Sequence, residues 1–192
     1  MIRRLCSSVF LAGALLLAPF AAHAFELGEL MRLLAAHPGG KARFVETRYL
    51  AVLDKPLVAR GEMTYTPPNR LEKRTLAPKA ETLILDRDLL TLERGQQKLS
   101  INLASQPEAL AFVDSIRGTL AGDRAALERN YALHLSGSQD KWVLTLLPRD
   151  QKIAGIVQRI TVRGSQRQTR SIEYLQADGD RVELAIEPVG ER

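Results

Sequence analysis

The apolar residues of this chain recur with two different periods, and the order of those periods constrains the fold more than any other feature. Between residues 42 and 103 the period is two. Ala59, Gly61, Met63 and Tyr65, for example, alternate with Arg60, Glu62 and Thr64. That is the signature of strands with one face buried. Strands are expected over 42–53, 58–66, 70–76, 81–86, 89–94 and 97–103, with turns at Thr66-Pro67-Pro68-Asn69, Asp86-Arg87-Asp88 and Arg94-Gly95-Gln96. From Ser105 the period lengthens. Leu110, Val113, Ile116, Arg117 and Leu120 follow helical spacing with Phe112 on the flank, and Ser105 as N-cap followed by Pro107 and Glu108 reads as the helix entry. Gly122-Asp123 interrupts, and Asp123 can cap a second short helix reaching about Glu128. The period then returns to two: Tyr131, Leu133 and Leu135, then Trp142, Leu144 and Leu146, with Ser136-Gly137-Ser138 as the turn between them. Strands over 156–162 and 172–175 follow. Asp178-Gly179, a strong hairpin signal, leads into Val182, Leu184 and Ile186. One more helix is expected ahead of the strands, over 27–36, stopped by His37-Pro38-Gly39-Gly40. A chain of this order is an α+β, mostly β domain. About eleven antiparallel strands form a curved sheet, about three helices cover one face, and the helical insertion follows the sixth strand.

The N-terminus carries a different signal. Arg3 and Arg4 precede the apolar run Val9–Leu17, Pro19 breaks it, and Ala22-His23-Ala24 puts small residues where signal peptidase reads. This is the pattern of a cleavable secretory signal peptide over residues 1–24, cut after Ala24, with a single domain over 25–192. The run falls short of the roughly 20 apolar residues that span a bilayer. Cys6, the only cysteine, lies before the run, so the mature chain is expected to hold no thiol, disulfide or lipid anchor. Removing Arg3 and Arg4 lowers the formal net charge from +5 to +3. Export argues against nucleic acid as the partner of that charge.

Motifs for chemistry are scarce. His37 sits in a Pro-Gly turn and His134 alternates with leucines toward solvent, neither at zinc-ligand spacing. No nucleophile elbow, phosphate-binding loop or dinucleotide fingerprint is present. The carboxylates Glu46, Asp54, Glu62, Glu72, Glu81 and Asp86 show no spacing that selects a pair, so a hydrolase is the weakest reading. No cofactor, metal or catalytic residue is expected. Leucine dominates the apolar set. A leucine-lined concavity suits an aliphatic ligand, and it equally suits an ordinary core. Strand alternation and helical spacing make Met63, Tyr65, Leu83, Leu85, Leu90, Leu92, Leu99, Ile101, Leu133, Leu135, Trp142 and Leu144 candidate cavity residues. Leu110, Phe112, Val113 and Ile116 are the candidate lid residues.

The stretch from Phe44 to Asp86 carries a resemblance. Phe44-x-Glu46-x-Arg48-Tyr49-Leu50 is followed by Gly61-x-Met63-x-Tyr65-x-x-Pro68-x-Arg70-Leu71-x-Lys73-x-Thr75-x-x-Pro78-x-x-Glu81. It resembles the outer-membrane lipoprotein carrier superfamily, LolA and its relatives, and the order of elements agrees over essentially the whole mature chain. The resemblance implies a half-open antiparallel barrel with a helical lid. It also implies a periplasmic, non-enzymatic carrier or chaperone that binds acyl chains of a lipidated cargo, a lipoprotein or glycolipid, and carries it toward the outer membrane. Its implied partners are that cargo, an inner-membrane donor transporter and an outer-membrane acceptor, and a carrier that exchanges partners is most simply a monomer. The alternative reading is a lipid-sensing or accessory binding module of the same fold. Two departures mark a divergent branch. Typical carriers place a lid-tethering arginine directly before the Pro-Asn turn, where this chain has Pro67, and Asp86-Arg87-Asp88 stands where Asp-Gly is more usual. Arg48 and Arg70 are the candidate replacements for that tether.

Overall fold

A computed structural model describes residues 24–190. The segment read as a signal peptide falls, but for its last residue, outside the described residues. Helix α1 (Leu27–Ala35) leads into six strands: β1 (Gly40–Tyr49), β2 (Leu57–Thr66), β3 (Arg70–Ala77), β4 (Glu81–Asp86), β5 (Leu89–Arg94) and β6 (Gln97–Asn102). Helices α2 (Pro107–Ala121) and α3 (Arg124–Asn130) follow, then β7 (Tyr131–Ser138) and β8 (Lys141–Pro148). A short α4 (Gln151–Ala154) precedes β9 (Val157–Ser165), β10 (Gln168–Gln176) and β11 (Arg181–Val189). All eleven strands form one open antiparallel sheet in the order β6-β5-β4-β3-β2-β1-β11-β10-β9-β8-β7. The first and last strands of the domain therefore lie side by side, with Phe44 opposite Ile186 and Glu46 opposite Leu184. Consecutive strands otherwise pair with their sequence neighbours, as hairpin connections dictate.

The expected arrangement of strands and helical insertion is the observed one, with local corrections. Ser105 does not cap α2. Gln106 stands at that position and makes no side-chain cap. Ser105 belongs to a 3-10 turn over Leu103–Ser105, where its hydroxyl donates to the Asn102 carbonyl oxygen and Asn102 Oδ1 accepts from the Ala104 amide. The polar side chains at this junction are spent on the tighter turn. Ser136-Gly137-Ser138 is part of β7, because Gly137 pairs with Trp142 and Ser138 with Lys141, so the hairpin turns at Gln139-Asp140. The fourth helix, unexpected from sequence, is one turn long. Asp150 caps it through Lys152 N, and Ile153 anchors it in the core.

The core lies between the helices and the β7–β10 half of the sheet's inner face. Leu30, Met31 and Leu34 of α1 pack with Leu127, Tyr131, Trp142, Leu144, Leu146, Ile160 and Val162. Asp123 caps α3 as expected, accepting from the Ala126 amide at 2.9 Å. Gly122 ends α2 with φ 64°, and a Cβ there would sit 2.2 Å from the Met31 carbonyl oxygen. Only glycine satisfies both the left-handed turn and the close approach of α1.

Candidate functional site

Helix α2 packs in a way its sequence did not suggest. Its buried face is made of small residues, Ala111, Ser115, Gly118 and Thr119, spaced for one side of a helix. The two hydroxyls in that face are satisfied within the helix, Ser115 Oγ donating to the Phe112 carbonyl oxygen and Thr119 Oγ1 to that of Ser115. Tyr131 closes the same face, its hydroxyl donating to the Ala111 carbonyl oxygen at 3.1 Å. Burial pushes its pKa up to about 12. The larger apolar residues of the helix, Phe112, Val113, Ile116 and Leu120, are only half-buried and face a chamber.

That chamber is a cavity of about 660 Å³, within the roughly 300–1,000 Å³ usual for ligand sites. Its wall runs from β1 to β5 and through β10 and β11. The registers place its residues in rows across the inner face: Tyr65, Leu71, Leu85 and Leu90 in one, Met63, Lys73 and Leu83 in the next. Ile172, Leu184 and Ile186 continue the wall on the other side of β1. Phe112 bridges lid and sheet, its ring edge-on to Tyr174 at 5.1 Å between centroids. Among the described residues no helix is long and apolar enough to cross a membrane, and no group of three or more His, Cys, Asp or Glu could hold a metal ion.

All twelve residues read from sequence as cavity positions lie on this inner face, but they do not come together. Met63, Tyr65, Leu83, Leu85 and Leu90 border the cavity. Leu92, Leu99 and Ile101 continue the face outward to the β6 edge, beyond the cavity, and Leu99 is 56% exposed. Leu133, Leu135, Trp142 and Leu144 occupy the half of the sheet that the helices cover. Trp142 and Leu144 are 0% exposed core residues rather than wall, and Leu133 and Leu135 pack against that core. Strand alternation fixes the face of a residue and says nothing of how far along the sheet the helices reach. Of the lid positions, Phe112, Val113 and Ile116 overhang the cavity and Leu110 does not. Arg48 lines the cavity, but its Nε donates to Glu46 Oε1 at 2.6 Å. Arg70 lies elsewhere, paired with Asp86 at 3.2 Å and Glu72 at 3.5 Å. The helix-to-sheet contact comes instead from Arg117 of α2, which meets Asp88 in the β4–β5 turn.

The cavity's polar feature is not among the sequence expectations as a cluster: Glu46 and Arg48 are named there only separately, as one of six carboxylates and as a candidate tether, and Lys73 only within the motif. Glu46, 5% exposed, projects from the inner face of β1 and is held by Lys73 Nζ on one oxygen and Arg48 on the other. Burial alone would raise its pKa. The hydrogen bond and charge of Lys73, with those of Arg48, more than offset this and hold it below the usual carboxylate value. Lys73 also sits over the Phe44 ring, 5.0 Å from its centroid. Tyr174 feels both burial and the Glu46 charge, each of which raises its pKa. The signal was present: Phe44-x-Glu46 and Leu71-x-Lys73 each put a charged residue on the face of an apolar one.

Comparison with known proteins adds the following. A family model described as outer membrane lipoprotein carrier protein LolA-like matches residues 19–186. No curated protein matches the chain in sequence. Among solved structures, the chain is similar to the LolA superfamily protein NE2245 from Nitrosomonas europaea, at 10% identity over 86% of this chain and 93% of that one, with a TM-score of 0.46. It is similar to a chain of the MucA/MucB complex of Pseudomonas aeruginosa at 12% identity, TM-score 0.45, covering 86% of this chain and 58% of that one. LprF from Mycobacterium bovis matches at 10% identity, TM-score 0.35, over 86% of this chain and 94% of that one.

Proposed function

Since the chain belongs to the outer membrane lipoprotein carrier protein LolA-like family, we propose that it binds the acyl chains of a lipidated cargo in the cavity under α2 and carries that cargo between membranes after export and removal of residues 1–24. The single observation that carries the reading is the orientation of α2. A helix that buries Ala111, Ser115, Gly118 and Thr119 while its larger residues Phe112, Val113 and Ile116 stay half-buried and line a 660 Å³ chamber, Phe112 and Ile116 also touching the margin of the core, leaves apolar surface facing an interior volume. Each CH2 of an acyl chain costs roughly 0.8 kcal/mol to expose to water, and a leucine-rich wall removes most of that cost. Loading and release then need only movement of the helical cover, with no bond made or broken. The cargo is a lipoprotein or a glycolipid, the route runs toward the outer membrane, and an inner-membrane donor and an outer-membrane acceptor are the implied partners. The test is native mass spectrometry of the protein purified from the producing cell, followed by solvent extraction and lipid analysis. A stoichiometric acyl-containing species is expected. A protein that emerges empty and takes up no aliphatic probe removes the carrier reading and leaves that of an accessory binding module.

A further inference from the structure

The apolar cavity contains a charge arrangement that an acyl chain alone does not require. Among the described residues five charged side chains line it: Lys41, Arg48, Lys73 and Arg167 are cationic, and Glu46 is the one carboxylate. Glu46 is already engaged on both oxygens, by Arg48 Nε and by Lys73 Nζ. Each cation spends a single donor on it. An ammonium has three donors and a guanidinium five, so Lys73 retains two, and the two terminal nitrogens of Arg48 make no hydrogen bond among the described residues. Donors are in surplus and the acceptor is committed. A cationic headgroup would have to displace Arg48 or Lys73 to reach Glu46, whereas an anionic one meets open donors and a local excess of positive charge.

We infer that the Arg48–Glu46–Lys73 cluster is a headgroup subsite for an anionic amphiphile, in which a carboxylate or phosphate on an aliphatic chain takes the free nitrogens of Arg48 and Lys73 while the chain lies along the leucine wall. The inference rests on the acyl-binding reading above and names the ligand class for it. Glu46 then acts as a positioning residue: it holds both cations at one point of a low-dielectric wall, where charge-assisted hydrogen bonds are strong. Lys41 and Arg167 complete the positive lining of the same chamber.

The experiment is calorimetric titration of the purified protein with dodecanoate, monododecyl phosphate and dodecanol. At neutral pH the better of the two anions is expected to bind at least about tenfold more tightly than the alcohol, as hydrogen bonds to charged donors warrant. Whichever anion binds more tightly distinguishes a fatty acid from a phosphorylated lipid as the source. Arg48→Gln, a change at a half-exposed side chain, is expected to reduce the anion's advantage severalfold and leave dodecanol unchanged. Lys73→Met leaves the buried Glu46 carboxylate with Arg48 alone, so Lys73 is tested as the double variant Glu46→Gln/Lys73→Met, with the same expected loss. Equal binding of alcohol and anions, or an anion preference that survives both variants, overturns the headgroup subsite and leaves the acyl cavity standing. Failure of all three amphiphiles to bind removes the acyl-binding reading and the subsite with it.

Discussion

The guanidinium of Arg117 on α2 faces the Asp88 carboxylate across 3.3 Å and donates to the neighbouring Arg87 carbonyl oxygen at 2.8 Å, joining the helical cover to the β4–β5 turn. The Arg117 side chain is 20% exposed and is steadied from its own helix by Asp114. Replacing it is expected to loosen the cover more than the fold, because a partly solvated ion pair contributes about 1 kcal/mol or less. Arg117→Ala should leave the urea midpoint nearly unchanged, raise amide exchange along α2, and speed release of a bound aliphatic probe severalfold. A release rate equal to that of the unmodified protein would show that this contact does not restrain the cover.

Val113 tests the chamber itself. Val113→Asp places a charge where a chain would lie, and aliphatic-probe affinity should fall at least about tenfold, since an unpaired charge in apolar surroundings costs several kcal/mol. Leu99→Ser, on the same face of the sheet but outside the cavity, should bind as the unmodified protein does. Near-ultraviolet circular dichroism of both variants confirms that each is folded before affinity is compared.

The Glu46–Lys73 pair predicts an asymmetry between single and double variants. Lys73→Met leaves the buried Glu46 with Arg48 as its remaining partner and should cost about 1–3 kcal/mol in urea unfolding, whereas Glu46→Gln/Lys73→Met should recover most of that loss. The pH dependence has a fixed sign. Because the folded pKa of Glu46 lies below the ordinary 4.5, the unfolded chain takes up its proton first as pH falls. The contribution of Glu46 is therefore complete above 4.5 and is lost as pH drops through the folded value. Stability of Glu46→Gln should fall less steeply in that acid range.

Tyr131 gives the opposite limb. Its pKa rises from 10.0 to about 12 through burial, so its contribution is complete below 10.0 and is lost as pH climbs toward about 12. Tyr131→Phe should flatten that alkaline loss while costing about 1 kcal/mol for the hydrogen bond to Ala111. Urea unfolding across the alkaline range reads both effects.

Gly164 lies beneath the chain's single tryptophan. A Cβ there would stand 2.1 Å from Trp142 Cζ2 and 2.3 Å from the Gln168 carbonyl oxygen, so Gly164→Ala must displace the indole or the strand. Overpacking of this kind costs about 1–3 kcal/mol. A shift in the Trp142 emission spectrum should accompany the loss, and unchanged emission with unchanged stability would mean that the two strands part without strain.

Strand positions were legible because alternation is local. β4 and β5 begin and end where the sequence places them, bounded by turn residues on both sides. The helix entry at Ser105 was misread because two polar residues compete for a cap there, and the 3-10 turn takes both. The candidate site was half legible. Leu83, Leu85 and Leu90 were found because a wall residue alternates like any inner residue, and Trp142 and Leu144 were included for the same reason. Coverage by helices depends on contacts distant in sequence and leaves no periodic trace. The sequence does not single out Glu46 from the other strand carboxylates, because a charged residue facing inward is recognised only by its partner, and here the partner Lys73 lies on β3, across β2 from β1.

A sheet that ends at β6 on one side and β7 on the other has no fixed girth. In a closed barrel, strand number and stagger determine the internal diameter. Here neither does: the span between the β5 wall and α2 is set on one side by the β3–β4 ladder and on the other by the Arg117 contact to the β4–β5 turn, not by a closed ring of strands. If the chamber holds acyl chains as proposed, selection by bulk would be relaxed in such a container, and discrimination would fall to the charged residues of β1 and β3 that line it.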